Sequence, residues 1–433
     1  MKRTLLSVVF TAAFSVAGIS QNSEFTNGLF VLNEGGAGAG NASVSFISSA
    51  GELANNVFSD ANDGMPLGDT AQCMGFNGDN AYVVLNISSS VQVMNATTLE
   101  HITTITEGLE NQNPRYIEFY DNKAYVTCWG SGTNDEDDHI AIIDLATNTV
   151  TGSIAMEVGI ERIIKENNKF YVAHQGGFGQ SNKISVVNPA TGTVEAVITV
   201  GDVPNSMEVK DGFLYVICGG NPFWAGTETA GSLVKINLAD NTVVSEIDFP
   251  EATHPSNLDI NGDTIYYTVE AGIYKMQVAS TQLPAEPLFS IEPQGEYGIY
   301  GFDVIDNKIY ISDDGGYVSP ATVYVYTEEG SLLESSYTVG LLANGFYKSV
   351  QSGLGTPDVA GLEVMVYPNP VAEVLYVNTK ETATVTLYDL SGRMVKSEAY
   401  TASGLNVSGL SKGIYMAEVT SGSAKTVKRI VIE

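Results

Sequence analysis

The stretch GDNAYVVLN, residues 78–86, joins a tight turn to an apolar strand, and this unit recurs through most of the chain. Gly, Asp and Asn tolerate the positive φ that a two-residue hairpin turn requires. Five later copies carry a tyrosine in the same place, and neighbouring tyrosines lie between 43 and 51 residues apart. These tyrosines are Tyr82, Tyr125, Tyr171, Tyr215, Tyr266 and Tyr310. A period near 45 residues is typical of β-propeller blades.

A second hairpin follows each copy, which gives the four strands that a blade needs. A seventh copy, GLFVLN at residues 28–33, opens the series without a preceding strand, and LLANGFYKSV at residues 341–350 stands alone at its end. We predict that residues 341–350 complete the first blade, so that the ring closes without a free strand edge. The predicted fold is all-β, a seven-bladed β-propeller followed by a small C-terminal β-sandwich.

The formal net charge of the chain is -30, and residues 21–360 carry 11 basic against 43 acidic residues. Such a field repels nucleic acid and anionic lipid, so we expect no nucleic-acid partner. The many acidic residues indicate either solubility outside the cell or cation binding by some of their carboxylates. The three cysteines, Cys73, Cys128 and Cys218, cannot all pair, and we expect buried free thiols.

The N-terminus reads as a signal peptide over residues 1–20, because Lys2 and Arg3 precede a short apolar run that ends in small residues. The expected cleavage point has no cysteine, so a lipoprotein anchor is not indicated. No transmembrane segment is expected either. The propeller then spans residues 21–350, a linker rich in Gly, Ser and Pro spans 351–361, and the last domain spans 362–433.

The last domain resembles the type A C-terminal sorting domain of the Bacteroidetes type IX secretion system. Its motifs occur in order: Tyr367-Pro368-Asn369-Pro370, Leu387-Tyr388-Asp389, Ser391-Gly392-Arg393, Gly413-Ile414-Tyr415, and a basic last strand with Lys425, Lys428 and Arg429. The resemblance implies the type IX secretion machinery as a partner. It also implies a location that is secreted or at the outer cell surface, and it leaves open whether the mature protein stays attached.

The repeat pattern of residues 28–350 resembles YncE-like seven-bladed propellers. Within that group, GLFVLNEGGAGAGNASVSFIS at residues 28–48 is similar to the opening of the surface cobalamin-binding propellers of Bacteroidetes. That resemblance implies a cobamide as one candidate ligand, although this chain lacks a lipoprotein cysteine and carries a sorting domain instead.

The long loops are expected on one face of the ring, and they contain both tryptophans of the chain. Aromatic side chains with a few polar groups on a funnel suit a ligand pocket, although they could also pack their own loops. The expected ligand-binding residues are Trp129, Phe178, Phe223, Trp224, Tyr300, Tyr317, Arg115 and Arg162.

Metal binding is the second possibility that the sequence leaves open. His139, His174 and His254 lie in loops of the same face, and the acidic run at residues 134–138 could hold calcium. Neither has the spacing of a known metal motif, so no cofactor and no catalytic residue is assigned. The first functional hypothesis is therefore a secreted protein that captures an unidentified extracellular ligand, such as a cobamide, a glycan or another protein. The alternative is a propeller enzyme, a metal-assisted lyase or lactonase.

Overall fold

The computed structural model describes residues 24–131, 134, 136–177, 179–292, 299–350, 366–377, 383–389, 393–400, 404–421 and 424–432. The expected signal peptide and the expected linker lie outside these residues. Contacts divide the chain into two compact units, Met1–Gln351 and Ser352–Glu433.

The first unit consists of seven four-stranded antiparallel sheets, which we number as blades 1 to 7. Blade 1 contains β1 (Gly28–Asn33), β2 (Ser43–Ser48) and β3 (Leu53–Ala54); blade 2 contains β4 (Ala71–Asn77), β5 (Asn80–Leu85), β6 (Ser90–Asn95) and β7 (His101–Ile105); blade 3 contains β8 (Pro114–Tyr120), β9 (Lys123–Cys128), β10 (His139–Asp144) and β11 (Thr149–Ala155); blade 4 contains β12 (Ile160–Glu166), β13 (Lys169–His174), β14 (Lys183–Asn188) and β15 (Thr193–Thr199). Blade 5 contains β16 (Pro204–Lys210), β17 (Phe213–Cys218), β18 (Ser232–Asn237) and β19 (Thr242–Asp248); blade 6 contains β20 (Pro255–Asn261), β21 (Thr264–Val269), β22 (Gly272–Gln277) and β23 (Phe289–Ser290); blade 7 contains β24 (Ile299–Ile305), β25 (Lys308–Asp313), β26 (Thr322–Thr327) and β27 (Leu332–Thr338).

Blade 1 is completed by β28 (Ala343–Lys348), which comes from the other end of the repeat and takes the position of the first strand. It pairs antiparallel with β1, from Leu29 opposite Lys348 to Leu32 opposite Gly345. The first strands of neighbouring blades contact one another in the order β28, β4, β8, β12, β16, β20, β24 and back to β28. The predicted fold is confirmed, and the ring closes through the predicted segment.

The outer edge of blade 6 differs from the prediction. The second hairpin expected in every blade would put the fourth strand directly after β22, but β23 is only two residues long and pairs with Gly272 and Ile273 alone. Pro284 and Pro287 lie in the intervening loop, and proline cannot donate to a strand ladder. Helical structure in the described residues is limited to α1 (Val57–Ala61) in blade 1 and two 3-10 turns, Phe223–Ala225 and Gly315–Tyr317.

The repeated tyrosines explain why the blades pack. Tyr82, Tyr125, Tyr171 and Tyr266 are almost fully buried. Their rings lie between adjacent blades; Tyr125, for example, meets Phe170 of the next blade edge to face at 4.8 Å between centroids. Each turn before these strands contains at least one residue with the positive φ that the sequence indicated, such as Asp121 and Asn122. All three cysteines are free and buried, as predicted.

The second unit is a small β-sandwich of seven strands within the described residues. One sheet contains β29 (Val366–Tyr367), β30 (Val374–Val377) and β33 (Leu405–Asn406), and the other contains β31 (Thr384–Tyr388), β32 (Met394–Ala399), β34 (Gly413–Ser421) and β35 (Ala424–Ile432). Its core includes Val371, Leu375, Val385, Leu387 and Ile430.

Candidate functional site

The first strand of every blade carries a β-bulge near its beginning. A bulge leaves one or more residues out of the ladder and turns their side chains away from the sheet. The residues skipped by the strand registers are Gln72, Arg115, Tyr116, Glu161, Arg162, Asn205, Asn257, Leu258, Tyr300 and Asn344. Nine of the ten are polar or charged, or carry a tyrosine hydroxyl, so the repeat sets a polar ring where the seven strands converge.

All ten bulge residues line one cavity of about 640 Å³ at the centre of the propeller. Its wall also includes Glu34 and Ala37 from the loop after β1 and Glu208, Phe302, Asp303 and Tyr347 from the first strands of three blades. A cavity of a few hundred cubic ångströms with a small number of convergent polar groups is the usual form of a small-molecule site.

Arg115 and Glu161 form the strongest charge pair of the cavity. The guanidinium donates to the carboxylate from Nε at 3.1 Å and from Nη2 at 2.8 Å, and the two side chains are only 14% and 4% exposed. The guanidinium also stacks on the Trp129 ring at 4.0 Å from the ring centroid, and the indole Nε1 donates to the Ile160 carbonyl at 2.7 Å. Arg115 is therefore held in place by Glu161 and Trp129.

Arg162 is the second cation of the cavity. Its Nε donates to the Asn205 carbonyl at 2.8 Å, and its guanidinium lies over the Tyr116 ring at 4.9 Å. Glu161 pairs with Arg115, and among the described ion pairs no acidic side chain pairs with Arg162 in the same way. The positive charge of Arg162 is therefore available to the cavity as a whole.

Glu34, in the loop after β1, is another charged group of the wall. It accepts hydrogen bonds from the Tyr300 hydroxyl at 2.6 Å and from the Asn344 amide at 3.4 Å. Burial raises the pKa of the Glu34 carboxyl, against the lowering effect of these hydrogen bonds. Tyr300 in turn meets Tyr317 edge to face at 5.9 Å, so this wall combines a carboxyl group with two aromatic rings.

Glu208 and Asp303 lie further along β16 and β24, the first strands of blades 5 and 7. Burial, and then repulsion by Asp259, raises the pKa of each carboxyl to about 8. Asp303 accepts a hydrogen bond from the Phe346 backbone N–H at 3.1 Å, while Asp259 accepts from the backbone N–H of Ile260 at 2.6 Å. Arg162 lowers the pKa of both Glu208 and Asp303, but not enough to offset burial. The cavity thus holds carboxyl groups that resist ionisation.

The structure brings together only part of the set expected from sequence. Arg115, Arg162 and Tyr300 line the cavity, with Trp129 and Tyr317 packed against them. Phe223 and Trp224 do not line it; they stand on a 3-10 turn, 75% and 69% exposed. Phe178 lies outside the described residues. Sequence reasoning missed further lining residues, among them Glu34, Gln72, Asn205, Glu208, Asp303 and Asn344. Gln72, Asn205 and Asn344 share one signal, since each directly follows the first residue of the first strand of its blade.

The three histidines lie in different blades: His139 begins β10, His174 ends β13, and His254 directly precedes β20. His174 is buried and bonds to the Val158 carbonyl at 3.1 Å and the Ser185 hydroxyl at 2.8 Å. His139 bonds to the Asp137 carbonyl at 2.8 Å, and His254 to the Gly219 carbonyl at 2.7 Å. Within the described part of the chain, no group of three His, Cys, Asp or Glu side chains is placed to hold a metal ion.

The acidic run that suggested calcium has local partners. The Asp137 carboxylate accepts from the Ser131 backbone N–H at 3.0 Å, and Asp138 accepts from the Gly159 N–H at 2.6 Å. These bonds brace the loop that carries Trp129, and Asp135 lies outside the described residues.

Replacing Arg115 by methionine is expected to destabilise the propeller by about 3–5 kcal/mol, because Glu161 would remain buried without its cation. Urea unfolding of the variant and the parent measures the difference. Lys183→Met is the matched control, since it breaks the exposed Lys183–Glu157 pair and should cost less than about 1 kcal/mol. Equal losses in the two variants would show that Glu161 does not depend on Arg115.

Stability is expected to fall as the pH rises from about 5 to about 8. Glu208 and Asp303 have a folded-state pKa near 8, above the ordinary carboxyl value, so the folded state binds more protons than the unfolded state in this window. The double variant Glu208→Gln, Asp303→Asn should lose this dependence of stability on pH. Its free energy of unfolding at pH 8 should exceed that of the parent by more than about 1.4 kcal/mol, the equivalent of one pKa unit. Denaturant midpoints at pH 5, 6, 7 and 8 check this, and parallel curves would contradict it.

Two sequence families match the chain. The family described as "Domain of unknown function (DUF5074)" matches residues 27–339, and the secretion system C-terminal sorting domain matches residues 365–433. The second match means that the chain carries a type IX sorting domain, which directs export to the cell surface or the extracellular space. No curated protein matches the chain significantly. Among the helices of the described residues, none has the length and apolar character needed to cross a membrane.

Solved structures confirm the propeller fold. A quinonprotein alcohol dehydrogenase-like protein from Bacteroides thetaiotaomicron is 16% identical with a TM-score of 0.54, and the match covers 74% of this chain and 77% of that one. A functionally unknown protein from Desulfotomaculum acetoxidans is 14% identical with a TM-score of 0.55, covering 76% and 100%. A Lactobacillus plantarum protein is 12% identical with a TM-score of 0.55, covering 74% and 98%. At such low identities these likenesses establish the fold alone.

Proposed function

This chain belongs to the DUF5074 family over residues 27–339, and we propose that it is an exported binding protein that captures a small molecule in the central cavity of its propeller. The observation that supports this most is the set of seven bulges, which direct ten side chains from all seven blades into one space. A bulge leaves ladder groups unpaired, so a bulge in every first strand at the same place is a costly feature for a purely structural ring.

The location of the cavity fits such a role. It opens among loops near the beginnings of the first strands: Thr70 lies in the loop that joins blades 1 and 2, and Glu34 and Asn86 lie in the loops between the second and third strands of these blades. We propose domain limits of 21–350 for the binding domain and 362–433 for the sorting domain. Export, which the sorting domain directs, exposes the cavity to extracellular solutes.

A cobamide remains a candidate ligand through the YncE-like resemblance. Glu34 belongs to the opening block that carries that resemblance, and it lines the cavity. Arg115, however, already gives two donors to Glu161, so a ligand phosphate would have to rely on Arg162. A cobamide is also larger than the ligands that a cavity of about 640 Å³ encloses, so only part of it would enter.

A thermal-shift screen of the purified chain tests the proposal, because a ligand that binds the native state raises the melting temperature. The panel contains cobalamin, oligosaccharides and small metabolites of each charge. Hits should lose their effect in Ala37→Trp, which places a bulky group at the cavity wall from an exposed loop position. Ala39→Trp, an exposed neighbour outside the wall, should keep them. Hits that survive Ala37→Trp would exclude the cavity.

The exposed pair Phe223 and Trp224 supports a second candidate, sugar stacking or protein docking on that loop. The same screen separates the two sites. A glycan that binds here should be lost in Trp224→Ala and retained in Ala37→Trp, the reverse of a cavity ligand.

A further inference from the structure

We infer that the central cavity selects a small organic cation that carries N–H donors and a flat apolar body. This inference rests on the proposed function, since it names the chemical class of the ligand for the same cavity. It follows from the charges, an unpaired acceptor and the aromatic faces of the wall.

The charges of the wall do not balance. Four carboxyl side chains line the cavity, those of Glu34, Glu161, Glu208 and Asp303, against the two guanidinium groups of Arg115 and Arg162. Arg115 and Glu161 neutralise each other in a buried bidentate pair. One guanidinium then faces three carboxyl groups, whose pKa values burial raises. A positively charged ligand would favour the ionised form of these groups and bind more tightly as they ionise, whereas an anion would favour their protonated form.

One buried acceptor of the wall has no donor within the described part of the chain. The Oδ1 atom of Asn344 is buried and has no hydrogen-bond partner among the residues that the structure describes. A buried acceptor without a donor is unfavourable by about 1–3 kcal/mol. The amide Nδ2 of the same side chain donates to the Ala71 carbonyl at 2.7 Å, which fixes the orientation of Oδ1. A ligand ammonium or guanidinium could supply the missing donor.

Aromatic rings supply the faces that a flat cation would contact. Tyr116, Tyr300, Phe302, Phe346 and Tyr347 all line the cavity. Arg162 already lies over Tyr116 at 4.9 Å, so the wall uses cation–π contact within the protein itself. An aromatic or planar amine could use the remaining rings in the same way.

A metal ion fits this wall less well than an organic cation. No three His, Cys, Asp or Glu side chains within the described ranges converge closely enough to bind a metal. The wall instead mixes carboxyl groups with aromatic and amide side chains, which suits an organic ligand. The net charge of -30 would raise the local concentration of any cation.

Two charge series with a constant body test the inference. The first is tyramine, tyrosol and 3-(4-hydroxyphenyl)propanoate, and the second is tryptamine, tryptophol and indole-3-propanoate. Calorimetric titration of the full chain at pH 8.5, where Glu208 and Asp303 are largely ionised, should give at least about tenfold tighter binding for the amine than for the alcohol of the same body, as expected for a charge-assisted hydrogen bond. The acids should bind more weakly than the alcohols.

The double variant Glu208→Gln, Asp303→Asn should reduce the amine preference about tenfold, whereas Glu246→Gln, an exposed acid on β19, should leave it unchanged. The amine affinity of the parent should also rise between pH 6 and pH 8.5, because Glu208 and Asp303 ionise in that range, and the double variant should lose this rise. A melting curve of each variant confirms that it is folded.

The outcomes separate this inference from the function on which it rests. Alcohols or acids that bind more tightly than the amines, in a manner abolished by Ala37→Trp, would overturn the cation inference and keep a cavity ligand. Failure of both series together with the whole thermal-shift panel would overturn the proposed function itself. Amine binding that persists in Ala37→Trp would place the cation elsewhere and also overturn this inference.

Discussion

Ending the chain after Thr338 is expected to turn a monomeric propeller into an aggregating protein. The truncation removes β28, which pairs with β1 along its length and buries Ala343 and Phe346 between blades 1 and 7. Loss of a buried phenylalanine alone is unfavourable by about 3–5 kcal/mol, against a total stability of about 5–15 kcal/mol for a typical domain. The exposed edge of β1 would then be free to pair with other chains.

A matched truncation after Val350 provides the control, since it keeps β28 and removes only the residues that follow the ring. Size-exclusion chromatography with light scattering and a melting curve distinguish the two proteins. A truncation after Thr338 that remains monomeric and melts like the longer protein would show that β28 does not close the ring.

Deleting the last ten residues, Ala424–Glu433, is expected to abolish export and leave the protein in the periplasm. The deletion removes β35, which pairs with β34 from Gly413 opposite Ile432 to Ser421 opposite Ala424. It also removes the partner of the sorting motif, because the Val431 N–H donates to Asn369 Oδ1 at 2.8 Å and the Val371 N–H donates to the Val431 carbonyl at 2.8 Å. The deletion therefore removes the last strand of the sorting domain together with the hydrogen bonds that hold the segment of Asn369 and Val371 against it.

Cell fractionation and protease treatment of whole cells measure the result, which should be a near-complete loss of surface protein. Residues 362–433 fused to a periplasmic reporter should carry that reporter to the surface, and the shortened version should not. Surface exposure of the shortened chain would contradict the role of β35 in sorting.

The sorting motifs illustrate what the sequence could and could not predict. Tyr367, Pro368, Asn369 and Pro370 lie at the start of the sandwich, and Gly413 begins β34, as the motif order indicated. Lys428 is exposed on β35. The packing of Asn369 against the last strand has no sequence signal, because the two segments lie 62 residues apart. Gly392 lies outside the described residues, as do the side chains of Lys425 and Arg429.

The propeller was predictable because its period is marked by residues that each blade requires for its own turns and core. Positive-φ residues such as Asp121 and Asn122 mark the turns, and buried tyrosines mark the second strands. Each signal acts within one blade and recurs in the next. Even the ring closure could be inferred, because one strand was missing at one end and a spare strand stood at the other.

The cavity was less predictable, because its residues meet only after the ring has closed. Glu34 and Tyr300 form a hydrogen bond across 266 residues of sequence. Exposed aromatics such as Trp224 drew attention to the long loops, whereas the wall is formed mainly by bulges in the first strands. Aligning those strands on their first residue would have revealed the repeated polar position.

A crystal structure of the exported chain with the strongest hit of the thermal-shift screen would show whether the central cavity binds the ligand. We expect ligand density inside the cavity, within hydrogen-bond distance of at least one bulge residue such as Gln72, Asn205 or Asn344. Density on the Phe223–Ala225 turn or at another surface, with the central cavity unchanged from the free protein, would contradict it.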